Sequence, residues 1–307
     1  MYFFKVLRPI NLMIILFTMI GGAVHLFSTN TFQYIRFNTL DFGLLIFSTL
    51  LIAGAGNLIN DYFDIKADRI NKPSKLIIGK YIKKRWAILL HWIFNGVAVG
   101  ISIYLSFKYQ SLWFVFVYVV TGNLLWYYST TLKKRPIYGN IVIAAMTALI
   151  PILVILFFKV SNESNDAHSP YHSNTWSTDL NYNFLYLLAL CAFLTNMARE
   201  IIKDIEDMKG DLAIKVRSLP MLIGENKAYW CAVLIAQMSG VSCLISFIFL
   251  KNTFTVNESI WITLILCGVL NLLLFIFPLI NKITIKHCSL LLKISLFLGI
   301  CSLYFSL

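Results

Sequence analysis

Residues 39–69 read TLDFGLLIFSTLLIAGAGNLINDYFDIKADR. From 39 to 60 the run is apolar and long enough to cross a bilayer core as a helix, which takes about 20 residues. Beyond it stand Asp61, Asp64 and Asp68, interleaved with Lys66 and Arg69. The unit from which the fold is read is therefore a membrane span that exits into acid. The rest of the chain agrees. Its 307 residues are 59% hydrophobic and 13% charged, where a soluble domain runs at about 45–50% and about 25%, and the mean hydropathy is +0.75. There is too little polar surface to cover one water-soluble core of this length. Disorder, collagen and coiled coil are excluded by the same composition. The expectation is an all-α polytopic membrane protein forming a single domain over residues 1–307, with no large extramembrane domain.

Apolar runs bounded by polar, charged, Gly or Pro breaks predict nine spans, near 10–29, 39–60, 86–107, 111–131, 137–158, 183–203, 227–250, 258–280 and 286–307. An odd count puts the termini on opposite sides. With these boundaries, 22 of the 26 Lys and Arg fall on the N-terminal side, leaving Arg36, Lys108, Lys159 and Lys251 for the other. The positive-inside rule then places the N-terminus and the acidic exits in the cytoplasm and the C-terminus opposite, in the cell inner membrane.

The formal net charge of +12 belongs, in so apolar a chain, to loops lying against anionic headgroups, so membrane lipids and no nucleic acid are the expected surroundings. The six cysteines all fall in or beside apolar runs, with no two at metal or redox spacing, and read as small hydrophobes. The N-terminus runs into the first span without a cleavage site and is expected to be retained. A polar loop over 159–182 holds His168 and His172 four apart, with no helix predicted to fix them as metal ligands. No feature of the sequence specifies an oligomeric state.

The second acidic stretch reads NMAREIIKDIEDMKGD over 196–211. Asn60, Asp64 and Asp68 recur every four residues, as do Asp207 and Asp211, and Glu200 and Asp204 lie within a turn or so of the latter pair. On a helix this spacing lines the groups along one face. Like charges so placed repel unless a cation lies between them. Taken singly, each stretch reads as a solvated loop of mixed charge. Taken as a pair leaving the membrane at one face, they describe a pocket for hard divalent cations such as Mg²⁺ and a polyphosphate, with the ligand's lipid tail between the helices.

These two stretches resemble the paired aspartate motifs of the UbiA superfamily of membrane prenyltransferases. Asn60, Asp64 and Asp68 meet its NxxxDxxxD signature, and Asp207 and Asp211 its DxxxD signature. The resemblance extends to Asn71-Lys72-Pro73 with Gly79, and to the segment from Tyr128 to Pro136 followed by Gly139-Asn140. Lys72 stands where the family more often has Arg. The nine-span count matches as well, so nearly the whole chain is covered. Within the superfamily, the 196–207 segment is most similar to the enzymes that attach a geranylgeranyl chain to geranylgeranylglycerol phosphate.

The resemblance implies nine helices around a central cavity and Mg²⁺-dependent transfer from a prenyl diphosphate donor to a lipid acceptor. The implied metal ligands are Asp64, Asp68, Asp207 and Asp211. Lys133, Arg199 and Arg217 are the implied partners of the outer diphosphate oxygens, and Asn60, Arg69, Lys72, Lys203 and Asp204 are further substrate-binding candidates. Tyr128 matches a family position from which its ring can face the developing carbocation. Trp126 reads instead as an interface residue. Two other functions compete. One keeps the enzyme and takes an aromatic acceptor, as in quinone or chlorophyll-type biosynthesis. The other is a cation-coupled transporter, whose acids should lie at mid-membrane on broken helices rather than at the ends of spans.

Overall fold

The computed structural model describes residues 2–29, 37–166, 182–213, 216–250, 258–275 and 284–306. Among these the secondary structure is helical apart from an isolated bridge between Ile78 and Ile82. The helices are α1 (Tyr2–Val6), α2 (Pro9–Thr29), α3 (Thr39–Phe63), α4 (Ile65–Asn71), α5 (Lys84–Tyr109), α6 (Trp113–Thr130), α7 (Tyr138–Asp166), α8 (Asn183–Ala213), α9 (Leu219–Ile223), α10 (Glu225–Leu250), α11 (Glu258–Leu273) and α12 (Thr284–Cys301). Seven of the described helices are long and apolar enough to cross a membrane. The helices at the fourth and eighth expected spans, α6 and α11, are not among those seven. Nine crossings therefore stays an expectation, while the integral membrane class is plain.

The second span forms where its sequence directs. Asn38 caps α3, its side-chain oxygen accepting from the backbone N–H groups of Leu40 and Asp41, which satisfies two of the donors a helix start leaves open. Its apolar face, with Phe42, Leu45, Ile52 and Leu58 buried, packs on α5 and α6. At this end Asp41 is fully buried and ion-paired with Lys108 at 2.7 Å, and it accepts from the Tyr109 hydroxyl at 2.7 Å. A buried carboxylate is tolerated only with such partners. Deeper in the bundle the Tyr118 hydroxyl joins α6 to Ser48 and Thr49 of α3 at 2.8 and 2.7 Å.

Two expected boundaries move, each for a local reason. The sixth span was expected to end near 203, yet α8 continues ten residues further, to Ala213, because α4 packs along its last turns. The polar loop was expected from 159, yet α7 runs to Asp166; His168 and His172 lie outside the described residues. α8 is the hub of the second half, against α7, α10 and α12. Many large side chains remain exposed around the bundle, among them Leu89, Trp92, Phe116 and Leu234, which is the outer face a bilayer requires.

Candidate active site

The helices enclose a cavity of about 1250 Å³. Asp64 is the one residue between α3 and α4, with φ −82° and ψ −3°. The four-residue spacing survives this junction because the backbone hydrogen bonds run through it. The N–H of Asp64 donates to Asn60 O at 2.9 Å, that of Asp68 to Asp64 O at 2.8 Å, and that of Lys72 to Asp68 O at 2.9 Å. Asn60, Asp64, Asp68 and Lys72 all line the cavity. So do Arg199, Lys203, Asp204, Asp207 and Asp211 of α8, Tyr128 near the end of α6, and Lys133 in the 3-10 turn Leu132–Lys134.

Two of the expected site residues are not brought to the cavity wall. Arg69 and Arg217 are exposed and do not line the cavity. Arg69 follows Asp68 directly and so points about 100° further round the helix. Arg217 lies beyond the end of α8, where its backbone N–H donates to Lys134 O. Lys66 is not in the cavity wall either, and Trp126, expected at the membrane interface, lies outside it as well. Trp126 packs on His91, Trp92 and Phe63 instead.

The lysines cross-link the ladders. Lys133 forms a short ion pair with Asp64, and Lys72 reaches from α4 to Asp207 on α8 at 2.8 Å. Among the described residues the carboxylates of Asp68 and Asp211 accept no hydrogen bond from a side chain, and the buried Asn60 Oδ1 has no partner. Burial, with the charge of Asp64, pushes the Asp68 carboxyl up to about 6. Burial pulls the Lys133 ammonium down, but Asp64, Tyr128 and Asp211 together outweigh it and hold the group above its ordinary value. Among the described residues no three acidic, His or Cys side chains close on one point; positive charge is supplied by the two lysines. The donor set is nonetheless the one a hard divalent cation takes. It offers carboxylates from two helices and an unpartnered amide oxygen on one wall.

Several residues join this site that the motifs did not assign a role. Asn71 clamps the two ladders: its amide NH₂ donates to Asp207 O at 2.9 Å, and its Oδ1 accepts from the Gly210 N–H at 2.8 Å. A Cβ at Gly210 would stand 2.3 Å from Asn71 Nδ2, so only glycine permits the approach. Asn140 donates to Asp204 at 2.9 Å. Arg8 pairs with Asp61 at 2.5 Å, and Glu200 Oε1 takes both Arg199 at 3.0 Å and Lys203 at 2.6 Å. Asn71 and Asn140 were marked by the resemblance without a role, and Arg8 was legible only as one basic residue of the N-terminal stub. Away from this polar end the cavity wall is apolar, with Ile52, Leu125, Ile143, Met146, Leu188 and Leu264.

A helical membrane bundle whose cavity is acidic and basic at one end and apolar at the other defines a class of protein that acts on lipids with anionic heads. The profile of the UbiA prenyltransferase family matches residues 12–298, and the chain belongs to that family. It is 31% identical to a digeranylgeranylglyceryl phosphate synthase of Thermococcus sibiricus, over 79% of this chain and 76% of the relative. It is 30% identical to the enzyme of that name from Pyrococcus furiosus, over 81% and 77%. The fold superposes on a solved structure described as digeranylgeranylglyceryl phosphate synthase in membranes, with TM-score 0.65, 26% identity and coverage of 98% of this chain and 96% of that one. It also superposes on a UbiA homologue from Archaeoglobus fulgidus bound to DMAPP and Mg²⁺, with TM-score 0.59, 13% identity and 99% of each chain covered. Membership of a prenyltransferase family favours the enzyme over the transporter.

Proposed function

We propose that this single-domain membrane enzyme transfers a geranylgeranyl group from its diphosphate to geranylgeranylglycerol phosphate. The observation that carries the reading is one cavity with two cross-linked carboxylate ladders at its polar end and an apolar wall beyond. The relatives' shared name supports the choice of acceptor. Asp64, Asp68, Asp207 and Asp211 would hold Mg²⁺, with Asn60 as a neutral oxygen donor; the metal complex of the Archaeoglobus homologue supports Mg²⁺ as the ion. When bound, Mg²⁺ neutralises the charge that develops on the leaving diphosphate.

The chain's own groups do the rest. Lys133 and Lys72 are aimed into the site by their carboxylate partners and bind the outer phosphate oxygens, which is preorganised stabilisation of the developing negative charge. The allylic C–O bond breaks with its electron pair passing to the diphosphate. The buried Tyr128 ring flanks the carbon that becomes cationic, an interaction of up to about 2 kcal/mol when desolvated. The apolar wall keeps water from that carbon. The acceptor hydroxyl oxygen then forms the new ether bond, and its proton leaves on the pyrophosphate. The charge asymmetry of the loops supports an N-terminus and a polar end on the cytoplasmic side of an inner membrane.

The reading is tested by incubating the purified protein and Mg²⁺ with a panel of prenyl diphosphates and acceptors and identifying products by mass spectrometry. The expected product is digeranylgeranylglycerol phosphate. Turnover of 4-hydroxybenzoate or a dihydroxynaphthoate, without turnover of the glycerol phosphate, would replace the acceptor and leave the family assignment standing.

A further inference from the structure

Arg199, Lys203, Asp207 and Asp211 follow one another every four residues along α8, so a single stripe of that helix is basic at one end and acidic at the other. The acidic end meets the first ladder. The basic end meets Arg8, which projects from the junction of α1 and α2 with its backbone in the left-handed region, φ +54°. A non-glycine residue held there is strained, and such strain persists where surrounding structure requires it. The local charge differs sharply between the two ends. Around Arg8, Arg199 and Lys203 the carboxylates are Asp61 and Glu200, with Asp204 next along α8, so the charges balance. Around Lys72 and Lys133 stand four ladder aspartates, so acids are in excess by two. The second group needs added cations before it can hold an anion; the first does not. The Nε of Arg199 is buried without a hydrogen-bond partner among the described residues, so Glu200 does not satisfy the whole guanidinium.

We infer that Arg8, Arg199 and Lys203 form a second anion site that takes the phosphate monoester of the acceptor lipid directly, beside the diphosphate site of the ladders. At 1.5 Å rise per residue the members of the two levels lie about 6–18 Å apart along α8, Lys203 and Asp207 being nearest at about 6 Å. With the phosphate held near Lys203, at the end of the basic level that adjoins the acidic one, the neighbouring glycerol hydroxyl is turned toward the donor carbon. Arginine suits the role, because its planar fork matches two phosphate oxygens at once.

This inference rests on the glycerol phosphate reading, and the two fail separately: if the wild-type enzyme does not prenylate geranylgeranylglycerol phosphate, that reading falls before any variant is compared. Given wild-type turnover, the test is steady-state kinetics of Arg8→Gln and Arg199→Gln, with Lys72→Gln as the donor-side control. The expected result is an acceptor KM raised at least tenfold and a donor KM within twofold of wild type, with Arg199→Lys recovering part of the loss; the retained donor KM reports the fold. Lys72→Gln should do the reverse. Soluble glycerol phosphate should inhibit the wild-type enzyme competitively with the acceptor and not with the donor, a readout that needs no variant. The inference is overturned if the Arg variants raise the donor KM alone or change neither KM, or if glycerol phosphate competes with the donor. It is overturned equally if phosphatidylglycerol in mixed micelles competes as well as glycerol phosphate, since the cluster would then be a bilayer headgroup site.

Discussion

Lys133 is the residue on which the site's electrostatics turn. It is the partner of Asp64, and its charge acts also on Asp211 and Asp68. Lys133→Gln is expected to lower the rate of transfer by about 10²–10³-fold, the cost of one preorganised charge at a transition state, with a full-length protein still extractable in folded form. Retention of wild-type kcat in detergent assays would remove Lys133 from the mechanism. A second residue-scale expectation concerns Ile137, just before α7. It is β-branched, 41% exposed and held at φ +70°. Asn tolerates that region far better, so Ile137→Asn should stabilise the fold by about 1 kcal/mol, read as a higher Tm in a fixed detergent. The ladder aspartates were legible in the sequence because a spacing of four has one meaning on a helix. The pairing of Lys133 with Asp64 was not, since the two are 69 residues apart and only packing brings them together. Arg69 and Arg217 show the converse: they adjoin the aspartate motifs in sequence, yet helix phase and chain direction leave them outside the cavity wall.

At the scale of elements, α4 is a helix of seven residues, too short to persist by propensity, and yet it carries Asp68. What holds it is the Asn71 clamp on α8 together with the Lys72–Asp207 pair. Asn71→Ala removes two side-chain hydrogen bonds, each worth about 0.5–1.5 kcal/mol, and lets the two ladders separate. Gly210→Ala should act alike, by driving a methyl group into the same amide. Both variants are expected to weaken the apparent Mg²⁺ affinity, requiring more metal for half-maximal transfer, before they lower the maximal rate. Equal loss at all metal concentrations would mean that the clamp serves the fold and not the register of the ladders. The sequence could mark Asn71 and Gly210 only as members of a motif. That they meet is a consequence of α8 continuing to Ala213, past the point where its hydrophobicity ends.

For the molecule as a whole, composition alone fixed the class, because 59% hydrophobic residues have no soluble solution at this length. The cavity between the spans was expected from the resemblance rather than from periodicity, which cannot show how helices are arranged. The topology rests on loop charge. In a cysteine-free background, Lys80→Cys, between α4 and α5, should be labelled from the cytoplasmic side, and Gln110→Cys, between α5 and α6, from the opposite side; the reverse pattern would invert the protein in the membrane. The central claim is that the two ladders together form the metal-dependent diphosphate site. The most direct measurement is pyrophosphate release and prenylated product from geranylgeranyl diphosphate and geranylgeranylglycerol phosphate, compared among wild type with Mg²⁺, wild type with excess chelator, and Asp64→Ala and Asp207→Ala with Mg²⁺. The account predicts product only in the first, with both variants folded and of wild-type elution volume. Full turnover in excess chelator, or in either variant, would contradict it and leave the ladders as solvated charge.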